Sequence, residues 1–78
     1  MKQTLMLKNP KTKLKIYKQY LVIQNPSGES IIGYRYIKAL YLHKDISISI
    51  SQCIKLASKV DVYFIDPYGY IIAKMELV

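Results

Sequence analysis

One stretch of the sequence changes its apolar spacing part-way along. In DISISISQCIKLASK, residues 45–59, isoleucine first alternates with serine, and this period of two is typical of a β-strand. The later apolar residues instead have the spacing of one helical face, which is formed by Ile50, Cys53, Ile54 and Ala57. The sequence therefore predicts a short helix over residues 50–58, with these four side chains turned inward.

The start of this helix is marked by a capping motif. Ser49 and Gln52 fit a capping box, in which each side chain accepts a hydrogen bond from the backbone amide of the other residue. A hydrophobic staple between Ile48 and Cys53 fits the same register. We therefore expect the change from extended chain to helix to occur at Ser49.

The rest of the chain predicts short strands that are joined by tight turns. Strands are expected over residues 4–8, 13–17, 20–24, 29–33, 39–42, 62–65 and 70–75. Turn residues occupy positions 18–19, 25–28 and 66–69, and residues 34–37 predict a single helical turn. Strands 39–42 and 62–65 with the helix between them form a β-helix-β unit, whose crossover should be right-handed if the strands are parallel. The predicted fold class is α+β, mainly β, with small mixed sheets of hairpins and one short helix.

The small size and the single cysteine limit how this fold is stabilised. A domain of 78 residues is marginally stable, and one cysteine excludes an internal disulfide. Cys53 and the only histidine, His43, are too few for a zinc site. Oligomerisation or attachment to a second domain is then the remaining way to stabilise the fold. We expect Cys53 to be a buried structural thiol and His43 to be a surface residue.

The sequence contains no pattern that predicts catalysis. Its five acidic residues are scattered, and its three glycines lie in turns or at strand ends. We therefore predict no catalytic residue, no metal ligand and no cofactor. With no signal peptide and no apolar stretch of about 20 residues, the expected location is the cytoplasm, away from membranes.

Positive charge is concentrated near the beginning of the chain. The formal net charge is +7, and Lys2, Lys8, Lys11, Lys13, Lys15 and Lys18 all precede the first acidic residue, Glu29. Such a concentration suits a polyanion such as nucleic acid, although a solvated lysine-rich face gives the same pattern. The predicted nucleic-acid contacts are Lys8, Lys11, Lys13, Lys15, Lys18 and Arg35.

Eight tyrosines are many for so short a chain. Tyrosine combines a large apolar ring with a polar tip, so it is frequent at interfaces, and its ring also stacks on unpaired bases. We expect Tyr41 and Tyr63 to pack within a sheet. The candidates for a dimer interface are Tyr17, Tyr20, Tyr34, Tyr36, Tyr68 and Tyr70.

The order of these elements resembles a known family. The segments YIKALYLHKDISISISQCIKLASK and VDVYFIDPYGYIIAKM give a strand, a turn, an S-I-S segment, a helix, an apolar strand and a D-x-x-G turn. This order is similar to the N-terminal β-domain of the CRISPR-associated Cas-one (Cas1) family, the DNA endonuclease and integrase of spacer acquisition. The sequence departs from the family in one respect, since Lys59-Val60-Asp61 lacks the glycine often found between this helix and the next strand.

The resemblance implies a homodimer formed through the β-domain. It also implies a separate helical domain, which holds a divalent metal on Glu, His and Asp and contacts the Cas-two (Cas2) partner. No residue here matches that metal site, so residues 1–78 are expected to form one domain without the catalytic one and without enzyme activity of its own.

Several functions remain open from the sequence. The first is a non-catalytic dimerisation and DNA-positioning domain of a Cas1-like integrase, with DNA as a partner. The second is a stand-alone β protein that binds single-stranded nucleic acid through Tyr17, Tyr20 and the lysines. The third is a protein-interaction domain without a nucleic-acid role, and a small metal-dependent enzyme comes last.

Overall fold

The computed structural model describes residues 1–77 and contains seven strands and one α-helix. The strands are β1 Gln3–Leu7, β2 Lys13–Ile16, β3 Tyr20–Asn25, β4 Gly28–Gly33, β5 Ile37–His43, β6 Asp61–Ile65 and β7 Ile71–Lys74. The helix α1 spans Ile50–Ala57, and a 3-10 turn spans Tyr34–Tyr36. The predicted fold class, mainly β with one short helix, is confirmed.

The strands form two sheets. The first has the order β1-β5-β6-β7, in which β5 is parallel to both β1 and β6 while β7 is antiparallel to β6. The second is the antiparallel sheet β2-β3-β4. Because β5 and β6 are parallel neighbours joined through α1, the predicted β-helix-β unit is confirmed.

The helix begins as its capping motif predicts. The Ser49 side chain accepts a hydrogen bond from the Gln52 amide (3.2 Å), and the Gln52 side chain accepts one from the Ser49 amide (2.9 Å). Two amides that have no partner inside the helix are thereby satisfied.

The predicted inward face of the helix is wrong in part. Cys53 is buried as expected, and burial raises the pKa of its thiol. Its buried neighbour is Leu56, whereas Ile50 and Ile54 are 78% and 49% exposed. The helix packs chiefly on β2 and β6, so the covered stripe comprises Cys53, Leu56 and, in part, Ala57.

Both sheets and the helix share one apolar core. The three-stranded sheet contributes Leu14, Leu21 and Ile23, and the four-stranded sheet contributes Leu40, Leu42 and Val62. Leu56 joins them from the helix and is fully buried. The inner faces of the sheets are thus used for stability, and their outer faces and edges remain for contacts with other molecules.

His43 is not the surface residue that was expected, since only 6% of it is exposed. It is the last residue of β5, where it lies beside Ile65 of β6. Its Nδ1 accepts a hydrogen bond from the Asp45 amide at 3.0 Å and shapes the turn after the strand. A histidine that ends a strand with its ring nitrogen bonded locally has a structural role here.

Candidate interaction surfaces

The outer face of the three-stranded sheet carries lysines and two tyrosines. Side chains alternate along a strand, so Lys13, Lys15 and Tyr17 share the face that does not bear Leu14. Tyr20 lies across the hairpin from Tyr17, and the two rings stack with centroids 4.8 Å apart and planes at 21°. The rings are 42% and 40% exposed. We call these four residues, Lys13, Lys15, Tyr17 and Tyr20, the lysine–tyrosine face.

The turn between β2 and β3 is held by two residues from elsewhere in the fold. Tyr34 donates its hydroxyl to the Tyr17 carbonyl at 2.7 Å and its amide to the Gln19 carbonyl at 3.2 Å. Lys59 donates its ammonium to the Lys18 carbonyl at 2.9 Å. The carbonyls of three successive residues are therefore satisfied, which fixes the turn that supports the stacked rings.

Tyr34 consequently belongs to the interior. It is 9% exposed, and the Lys59 ammonium lies 5.1 Å from the centroid of its ring. Burial raises the pKa of its hydroxyl, so the protonated form that donates to Tyr17 is favoured. We therefore leave Tyr34 out of the surfaces proposed below.

Four cations lie around this turn, and we call them the turn cluster. One cleft of about 470 Å³ is lined by Lys18, Gln19, Tyr34, Arg35 and Lys59. A second, of about 210 Å³, is lined by Ile16, Tyr17, Lys18, Lys55 and Lys59. The turn cluster comprises Lys18, Arg35, Lys55 and Lys59, and no carboxylate of residues 1–77 lines either cleft.

Two residues of the turn cluster, Lys55 and Lys59, are not among the nucleic-acid contacts predicted from the sequence. Lys55 and Lys59 lie near the end of α1, where the helix dipole alone accounts for a cation. Their approach to Lys18 depends on the packing of α1 against β2. The expectation that α1 and β2 pack together could have revealed this approach, but nothing local in the sequence indicates it.

The other predicted lysine contacts are dispersed. Lys8 follows β1 and lies beside the turn that precedes β7, where a Cβ placed on Gly69 would lie 3.6 Å from its ammonium. Lys11 lies in the turn before β2, and its amide donates to Asn9 Oδ1 at 2.9 Å. Neither Lys8 nor Lys11 lines the two clefts of the turn cluster.

Strand β7 forms an apolar edge of the four-stranded sheet. All four of its residues are exposed, and Ile71 and Ile72 are 55% and 53% exposed. The preceding turn is organised by Asp66, whose Oδ1 accepts hydrogen bonds from the amides of Tyr68 (2.9 Å) and Tyr70 (3.0 Å). These two tyrosines are 83% and 72% exposed. We call Tyr68, Tyr70, Ile71 and Ile72 the β7 edge.

Three further tyrosines lie apart from these surfaces. Tyr41 and Tyr63 are neighbours on β5 and β6, half-buried, with stacked rings 4.9 Å apart, which confirms their predicted packing within a sheet. Tyr36 is 47% exposed, and the Arg35 guanidinium lies 5.4 Å from its ring centroid. The six interface candidates therefore do not form one surface.

Residues 1–77 contain no group of three or more His, Cys, Asp and Glu side chains placed to hold a metal ion. The divalent metal implied by the family resemblance thus finds no ligand set in this part of the chain, and we assign no step to it. Over the same residues, no helix has the length and apolar character to cross a membrane.

Comparison with solved structures gives one consistent result. A chain of a partial Cas6-RT-Cas1–Cas2 complex superposes with a TM-score of 0.77 at 15% identity, over 100% of this chain and 24% of that chain. A Cas1 protein from Thermotoga maritima superposes with a TM-score of 0.72 at 15% identity, over 95% of this chain and 23% of its own. The chain has the fold of a Cas1 domain.

A second Cas6-RT-Cas1–Cas2 complex agrees, with a TM-score of 0.74 at 15% identity over 99% of this chain and 9% of that chain. The Cas1-like chain thus spans about a quarter or less of the chains it matches. No family model and no curated protein matches the sequence. At the level of fold, the resemblance inferred from the order of elements is confirmed.

Proposed function

We propose that this Cas1-like chain is a non-catalytic dimerisation and DNA-positioning domain of a Cas1-type DNA integrase, acting in CRISPR spacer acquisition. The observation that carries the proposal is the match of nearly the whole chain to a fraction of Cas1 chains. The distribution of surfaces supports it, because an apolar edge and a cationic face lie on different sheets. On this proposal any chemistry belongs to another domain.

The β7 edge is the surface that we assign to dimerisation. Edge strands usually carry charged residues that prevent pairing, as Lys13 and Lys15 do on β2. Strand β7 instead presents Ile71 and Ile72 and carries no charge before Lys74. Two copies of such a strand can pair antiparallel about a twofold axis and bury the neighbouring tyrosines.

Light scattering across a micromolar concentration range tests the dimer. We expect the parent chain to remain a dimer on dilution and Ile72→Lys to be a monomer that keeps the parent circular dichroism spectrum. Ile31→Lys is the matched control, because Ile31 is 66% exposed on the other sheet. A monomeric parent chain would remove the dimerisation role.

The DNA part of the proposal depends on the uneven charge. Lysine ammonium groups contact phosphates and position a duplex or strand without reading its sequence. Binding measured by fluorescence anisotropy should weaken steeply as salt rises, because counterions are released from the DNA. An affinity that is independent of salt, or no binding below about 100 μM at low salt, would exclude this role.

The lysine–tyrosine face favours a second candidate, the binding of single-stranded nucleic acid by a stand-alone protein. The stacked pair Tyr17 and Tyr20 leaves aromatic surface exposed beside Lys13 and Lys15. Replacing both tyrosines by alanine should then weaken the binding free energy by about 1–3 kcal/mol for each base that stacks on these rings in the parent. If the double variant binds single strands as tightly as the parent does, this candidate is wrong.

A further inference from the structure

We propose that the turn cluster, Lys18, Arg35, Lys55 and Lys59, is a binding site for the phosphodiester backbone of a nucleic acid. The inference rests on the DNA-positioning role proposed above and gives it a place in the fold. Two of these residues, Lys55 and Lys59, belong to the region of α1 rather than to the lysine-rich beginning of the chain.

The cations of the turn cluster are free to bind an anion. Within residues 1–77, the one ion pair between a basic side chain that is charged at neutral pH and a carboxylate joins Lys44 to Asp45 at 3.4 Å. Over the same residues, the side chains of Lys18, Arg35 and Lys55 are exposed and donate no hydrogen bond. Four positive charges therefore converge without a carboxylate partner, and such a concentration attracts a polyanion.

Lys59 fixes the centre of the site. Its ammonium donates to the Lys18 carbonyl at 2.9 Å and lies 5.1 Å from the Tyr34 ring centroid. An ammonium has three N–H donors, so two remain for a phosphate oxygen. Lys59 lines both clefts, which places one anchored charge between Lys55 on one side and Arg35 on the other.

The clefts fit an extended polyanion better than a compact anion. The two clefts share Lys18 and Lys59, so a chain of successive phosphates can cross from one to the other. A neighbouring cleft adds Lys2 and Lys38 beside Lys59, and Asp61 is the one acidic residue among residues 1–77 that lines it. The path thus stays net positive beyond the turn, as a continuous nucleic-acid backbone requires.

The surroundings distinguish a nucleic acid from an acidic peptide. Tyr17, one of the two stacked rings, lines the same cleft as Lys55 and Lys59. Aromatic rings beside a cationic groove are the usual composition of surfaces that bind single strands, because the rings face the bases while the cations follow the phosphates.

The salt dependence of binding tests the site. The probes are a thirty-nucleotide oligothymidine and a duplex of the same length, measured by anisotropy between about 50 and 200 mM salt. The double variant Lys18→Gln/Lys55→Gln removes two charges that make no hydrogen bond within residues 1–77. Each lost contact should reduce the slope of log K against log salt by about 0.7 for a single strand and about 0.9 for a duplex.

A matched control removes the same charge elsewhere. Lys44→Gln/Lys74→Gln changes two exposed lysines that line neither cleft and are not among the predicted nucleic-acid contacts. We expect the control to keep the parent slope while the turn-cluster variant loses about 1.4 with the single strand. An equal loss of slope in both variants would overturn the turn cluster as the binding site, whereas the proposed DNA-positioning role would stand.

If the parent chain binds neither probe, the DNA-positioning role fails, and the site is then tested with inorganic tripolyphosphate. Backbone amide shifts of Gln19, Tyr34 and Arg35 that move together on titration would retain an anion site at the turn. Shifts that are absent there, or that spread evenly over all lysines, would overturn the turn cluster as well.

Discussion

Replacing Tyr34 by phenylalanine isolates the hydrogen bond that holds the β2–β3 turn. The ring and its packing are kept, but the Tyr17 carbonyl loses a donor at 2.7 Å in a partly buried setting. The net contribution of one hydrogen bond to the free energy of unfolding is about 1 kcal/mol. When the loss of the donor leaves a buried carbonyl unsatisfied, the loss of stability rises to about 2 kcal/mol. For a domain of this size, about 1 kcal/mol lowers Tm by about 6 °C. We therefore expect Tyr34→Phe to melt about 6–12 °C below the parent chain.

The same substitution has a predictable dependence on pH. Burial raises the pKa of the Tyr34 hydroxyl in the folded chain above its ordinary value of about 10. As pH rises past 10, the unfolded chain loses this proton first, so the parent loses stability while Tyr34→Phe is spared this loss. The Tm of Tyr34→Phe should lie below that of the parent by the whole expected amount at pH 8, and this difference should become smaller above pH 10.

Thermal melts followed by circular dichroism at both pH values measure these effects. Tyr36→Phe is the control, because Tyr36 is exposed and makes no hydrogen bond through its hydroxyl within residues 1–77. Its Tm should stay within about 3 °C of the parent. If Tyr34→Phe melts with the parent at pH 8, the Tyr34 hydroxyl does not hold the turn.

Three further substitutions test the helix and one turn by urea unfolding. Ser49→Ala removes the cap and should lower the free energy of unfolding by about 1 kcal/mol. The exposed control Ser47→Ala should change it little, and equal effects of the two substitutions would contradict the capping box. Leu56→Ala should lower the free energy of unfolding by about 2–5 kcal/mol, and Ile54→Ala should lower it far less. The reverse order would support the inward helix face that was predicted from the sequence. Gly69→Ala places a side chain at φ +92°, so we expect a loss of about 1–2 kcal/mol, and an unchanged stability would show that the turn relaxes.

Local signals in the sequence predicted most elements of the fold. The cap at Ser49 and the turn organised by Asp66 each depend on residues close together in the chain. Such hydrogen bonds are formed whatever the rest of the fold does, so residue type and spacing are sufficient to predict them.

What the sequence could not predict depends on contacts between distant segments. The predicted inward face of α1 was wrong in part because Ile54 has helical spacing but no neighbouring strand to cover it. Tyr34 was assigned to a surface because its bond to the Tyr17 carbonyl exists only after β4 returns to the first hairpin. The turn cluster requires α1 to pack beside β2, and no local pattern encodes that approach.

The position of β1 sets the order in which the chain can complete its fold during synthesis. Within residues 1–77, strand β1 pairs only with β5, so the whole β2–β4 sheet leaves the ribosome before that partner exists. At about 5–20 residues per second, β1 waits about 2–7 s as an unpaired apolar segment. The hairpins of β2–β4 close from local contacts within microseconds. Strand β1 is therefore made before β2–β4 but paired after them, and a chaperone would find it exposed in the interval.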